Sequence, residues 1–108
     1  MLTGHDYWSE AVATVPLGRT YWLGSTSART PRLALRWLHA RARDIADQLD
    51  PPAARPVRHW IHDDQEHERA LRHLANGQLY AFTAIEDDTR YVLTARPIHG
   101  AYAQRHMP

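Results

Sequence analysis

Two sets of residues in this 108-residue chain combine reactive side chains with a spacing that geometry can test. The first is a crowd of histidines and carboxylates between positions 59 and 73. His59, His62, His67 and His73 stand among Asp63, Asp64, Glu66 and Glu68. Such side chains are metal ligands and general acids or bases, and a small metal site here would draw on His62, Asp63 and His67. The spacing is poor for that purpose. Zinc histidines on one helix stand four apart, as in His-Glu-x-x-His, yet the residue four after His67 is Leu71. The preferred reading is a helix start with carboxylates in its first turn, where they suit the helix dipole. His67 then lies at the core edge and the other histidines lie on the surface.

The second set is a stripe of cations. Arg32, Arg36, His39 and Arg43 recur at intervals of four, three and four, which aligns them along one side of a helix. Guanidinium forks match phosphate oxygens bidentately. Arg29, Arg32, Arg36, His39 and Arg43 are therefore the candidate nucleic-acid-binding residues. The alternative is a solvated face with part of its charge paired locally, because Asp44 follows Arg41 by three residues and Asp47 follows Arg43 by four. All 13 basic residues are arginine and alanine is abundant, as a GC-rich gene would encode. The placement of the arginines is thus more informative than their number. A net charge of +1 is not that of a strongly basic nucleic-acid binder.

The stripe needs a helix, and 30–49 provides it. Thr30 is a favoured N-cap and Pro31 suits the first helical position. Ala34, Leu35, Leu38, Ala42, Ile45 and Leu49 fall on one arc, the predicted core face. Asp50 before Pro51-Pro52 ends the helix, and 51–56, PPAARP, is expected to be a stiff, extended connector. A second helix runs from Asp63-Asp64 to Asn76. Asp63 with Glu66 fits a capping box, and Gly77 takes the left-handed position after the end. Its apolar side carries Ala70, Leu71, Leu74 and Ala75.

Strands flank the helices. Residues 11–15 and 19–23 predict a hairpin around Pro16-Leu17-Gly18. Residues 24–29 read as a small-residue loop entering the first helix, a natural anion site. Residues 79–85 and 90–95 form the clearest strand pair, turning at Asp87-Asp88. That turn sets 84 opposite 91, 82 opposite 93 and 80 opposite 95. Tyr80, Phe82, Ala84, Tyr91, Leu93 and Ala95 then share the core face. Leu79, Thr83, Ile85, Arg90 and Val92 lie on the other, half-apolar face and are the candidate interface.

The expected fold is α+β: one domain with an antiparallel sheet of about four strands and two helices on one face, in the order ββααββ. Segments 1–9 and 98–108 are expected to be loose termini. Without cysteine there is no disulfide framework or thiolate nucleophile. No signal peptide or membrane-length apolar run is evident, so a soluble cytoplasmic protein is expected. Four tryptophans, at 8, 22, 37 and 60, are many for this length and suit core edges or interfaces. With no catalytic or cofactor signature, the preferred expectation is a non-enzymatic binding or regulatory module. It would act through protein contacts, as a homodimer or with another protein, and would need no cofactor. A nucleic-acid-binding protein using the arginine ridge is the first alternative. A metal-dependent or acid–base enzyme at the histidine cluster is the second.

Overall fold

The computed structural model describes residues 5–99. Among these residues four strands and three α-helices follow one another: β1 (His5–Thr14), β2 (Thr20–Ala28), α1 (Pro31–Ala46), α2 (Pro51–Ile61), α3 (Asp64–Ala75), β3 (Tyr80–Glu86) and β4 (Thr89–His99), with a single 3-10 turn at Pro16–Gly18 between the first two strands. The strands form one antiparallel sheet in the order β2-β1-β4-β3. The α+β class and the four antiparallel strands match the expectation, but there are three helices rather than two.

The additional helix, α2, occupies the predicted extended connector. Its prolines sit where a helix tolerates them. Pro51 and Pro52 fill the first turn, whose N–H groups have no helical partner in any case. Pro56 lies inside the helix, on its exposed side. Ala54, Val57, Trp60 and Ile61 recur along the opposite side and are all buried, and that burial outweighs the lost backbone bond. The Glu86 carboxylate accepts the N–H of Asp50, the α2 cap, at 2.7 Å and ties the helix to the end of β3.

In α1 the predicted arc is the core face: Ala34, Leu35, Leu38, Ala42, Ile45 and Leu49 are all buried. The Thr30 hydroxyl accepts the Leu33 N–H at 3.1 Å, as an N-cap should. The α3 cap is also present, with Asp63 Oδ1 accepting the Glu66 N–H at 3.2 Å. The reciprocal half of the capping box is replaced, since the Glu66 carboxylate turns to Arg69 and Tyr80.

The β3–β4 register is the one the turn dictates, with Ala84 opposite Tyr91, Phe82 opposite Leu93 and Tyr80 opposite Ala95. The first hairpin departs more from expectation. Residues 5–9, expected loose, are the first half of β1, where Tyr7 and Ser9 point inward and are buried. The Ser9 hydroxyl donates to the Ala34 carbonyl at 3.1 Å, which satisfies a fully buried polar group. The expected small-residue loop is not a loop: Gly24 to Ala28 belong to β2, paired with Tyr7 to Ala11. A bulge at Leu23 lets this stretch join the sheet. Gly24 has φ +142°, so a side chain is disfavoured by conformation, and a Cβ there would stand in ordinary contact with the Trp37 ring at 3.4 Å. Trp37 of α1 packs over this part of the sheet, at the core edge. At the other end β4 continues to His99, so residues 98 and 99 are strand rather than loose tail. The expected termini 1–4 and 100–108 lie outside the described residues.

Candidate functional site

The chemistry-bearing side chains gather in a groove between α1 and α3. One wall carries Arg32, Arg36 and Arg43, and the facing wall carries Asp64, Glu68 and Leu71. The open space between the walls is about 460 Å³. The three arginines are exposed, and among the described residues none has a carboxylate within ion-pair distance. Arg41 pairs with Asp44 at 2.8 Å, as its spacing predicts. The expected Arg43–Asp47 pairing gives way to Arg58, which reaches Asp47 from α2 at 3.0 Å and leaves Arg43 free. Arg29 stands apart from this groove. It lines a neighbouring hollow beside Trp37 and Asp6, which Arg36 also borders.

Two imidazoles also line the groove. The His39 and His67 rings lie 4.1 Å apart, tilted by 42°. His67 Nε2 is 2.8 Å from the Trp60 carbonyl oxygen. A carbonyl only accepts, so this nitrogen carries the proton. His39 is turned inward rather than outward with the arginines, and its ring packs edge-on against Trp60 at 4.8 Å. Its Nε2 is buried without a hydrogen-bond partner among the described residues. Burial, then the neighbouring His67, Arg43 and His62, push the His39 pKa down to about 4. At neutral pH it is an uncharged donor–acceptor beside three permanent cations.

The candidate metal ligands His62, Asp63 and His67 are not gathered around one point. Among the described residues, no three histidine, aspartate or glutamate side chains converge as a metal cage requires. His62 is exposed at the α2–α3 junction. Asp63 is engaged as the α3 cap and lies 3.7 Å from His59. His67 faces inward to Trp60, and its other ring nitrogen is 3.9 Å from Asp64.

Sequence spacing did not reveal a network on the far side of α3. Arg69 grips the Glu66 carboxylate with bonds of 3.0 and 2.8 Å. The buried Tyr80 hydroxyl donates to Glu66 at 2.7 Å and accepts from the Trp60 indole at 2.8 Å. Arg69 holds the Glu66 carboxyl below its ordinary range, while burial pushes the Tyr80 phenol above its own. Only the β3 register, which turns Tyr80 inward, hints at this contact in the sequence.

The candidate interface residues do share a surface. Thr83, Ile85, Arg90 and Val92 lie on the sheet face turned away from the helices, and Leu79 stands just before β3. Leu79 and Ile85 remain 54% and 58% exposed. The register extends this face across the whole sheet, because Val92 is opposite Val12 and Val12 is opposite Trp22. Trp22 is 59% exposed. Sequence reading missed Val12 and Trp22 as members because the bulge at Leu23 shifts the alternation of β2. No protein-family model, no curated protein and no solved structure matches the chain.

Proposed function

We propose that this protein is a non-enzymatic binding module that acts through protein contacts on the open face of its sheet, as a homodimer. One observation carries this reading. A row of Trp22, Val12, Val92 and Thr83 crosses all four strands on the side where none of the described helices packs, with exposed Ile85 and Leu79 beside it. Contiguous apolar surface of this kind is costly in water and marks contact sites. Such a face also suits an isologous pair. Two sheets laid face to face about an axis along the strands bring Val12 of one copy against Val92 of the other. Trp22 then meets Thr83, and Trp8 meets Arg96.

Sedimentation across a wide concentration range tests this. The expected particle has twice the 12.4 kDa chain mass, and Val92→Glu, which places a charge at the centre of the row, should return it to a monomer. A wild-type chain that stays monomeric at several hundred micromolar refutes the homodimer.

A further inference from the structure

We infer that the groove between α1 and α3 binds a small phosphorylated organic molecule, with the phosphate held by Arg36 and Arg43 beside the His39 ring. The site lies on the helical side of the molecule and stands or falls separately from the sheet face.

Three features of the groove require one another. First, Arg32, Arg36 and Arg43 line a single wall without carboxylate partners within ion-pair distance among the described residues. Guanidinium groups are the preferred partners of phosphate because their N–H donors match its oxygens in pairs. Second, the His39 and His67 rings line the groove 4.1 Å apart, so aromatic surface lies directly beside the arginines. Third, the space of about 460 Å³ exceeds the needs of a bare phosphate, and Leu35 and Leu71 give it apolar walls beside the two imidazole rings. The rest of the ligand has room there, and a flat or apolar part finds surfaces to cover.

The opposite wall narrows the ligand class. Asp64 and Glu68 face the arginines across the groove. They repel a continuous polyanion threaded along α1 but accept hydrogen bonds from ligand hydroxyl or amino groups. A molecule with one phosphate and several donors, of roughly nucleotide size, satisfies both walls. A nucleic-acid backbone satisfies only one.

Binding has an electrostatic signature at His39. Its pKa is held down to about 4 by burial and by the positive charges of His67, Arg43 and His62. A bound phosphate opposes those cations, whereas Asp64 and Glu68 on α3 are present in both states. The His39 pKa should therefore rise on binding, with proton uptake.

The test is a titration followed by the histidine ring nitrogens in NMR spectra, using inorganic phosphate, adenosine monophosphate, adenosine and a single-stranded oligonucleotide in parallel. The expected result is saturable shifts at His39 with phosphate and, more tightly, with the monophosphate, and none with adenosine. Arg36→Gln combined with Arg43→Gln should weaken binding at least ten-fold. Arg72→Gln, an exposed site on α3 outside the groove, changes net charge without removing a contact and should leave affinity within two-fold. His39→Gln should weaken binding by a smaller factor, and because the arginine variants alter only exposed positions, the test survives if this variant folds poorly. Two results overturn the inference. One is the absence of saturable response to phosphate or monophosphate, with binding only to the oligonucleotide and steep salt dependence. The other is equal loss of affinity in the Arg72 variant, which makes the effect one of general charge.

Discussion

At Tyr80 one hydroxyl connects three elements. It donates to Glu66 on α3 and accepts from Trp60 on α2, while the residue itself belongs to β3. Tyr80→Phe keeps the ring but removes both bonds. The Trp60 indole N–H loses its acceptor in a buried setting, and the expected loss is about 1–3 kcal/mol, measurable by urea unfolding. Glu66 remains paired with Arg69, so the variant should still fold. His39 makes a second prediction, concerning acid. Its folded pKa, about 4, lies below the ordinary value of 6.5. Between those values the unfolded chain binds the proton and the folded chain does not, so protonation favours unfolding. His39 should thus leave stability untouched above about pH 6.5 and reduce it progressively as pH falls toward 4. Comparing unfolding midpoints of wild type and His39→Gln at pH 7.5, 5.5 and 4.5 isolates the effect, because the variant should lose part of the slope in that window. An unchanged slope means that His39 titrates like a free imidazole.

At the scale of elements, α2 shows where the sequence was legible and where it was not. The α1 arc, the α3 cap and the β3–β4 register follow from periodicity, capping chemistry and turn length, all of which are local. The 51–56 segment fails because counting prolines hides their positions. Two of them start a helix, and the spacing of Ala54, Val57 and Ile61 is already helical. Residues 24–28 fail for a different reason. Small polar residues carry no strand propensity, and only pairing with β1 makes them a strand. The groove was half legible: the stripe could be read from spacing, but the inward turn of His39 depends on Trp60 and His67, both distant in sequence. Two substitutions follow. Pro56→Ala restores a backbone N–H on the exposed side of α2, where a helical bond to the Pro52 carbonyl is missing. It should raise stability by roughly 1 kcal/mol, less than the full proline penalty because proline also restricts the unfolded chain. Gly24→Ala should lower it by about 1–3 kcal/mol, since it forces a positive φ on a residue with a Cβ. Thermal unfolding of the two proteins separates them by sign.

For the whole molecule, the asymmetry between the two sides of the sheet carries the argument. Among the described residues all three helices cover one face, and no described helix packs on the other. A single layer of helices on one four-stranded sheet buries limited apolar area in a chain of 108 residues. Covering the row through Val12, Val92 and Trp22 adds buried area on the opposite side of the same strands. Self-association and folding are then linked, because anything that binds only the folded chain stabilises it by mass action. The midpoint of thermal unfolding should consequently climb by a few degrees as protein concentration increases about a hundred-fold. In Val92→Glu it should stay flat, at a value near that of dilute wild type. Val92 is half-buried, so the substitution carries a modest intrinsic cost, and a variant that is flat but far less stable even at high dilution would assign Val92 a structural role. A wild-type midpoint independent of concentration would mean that the open face contributes nothing to the stability of the chain by pairing with itself.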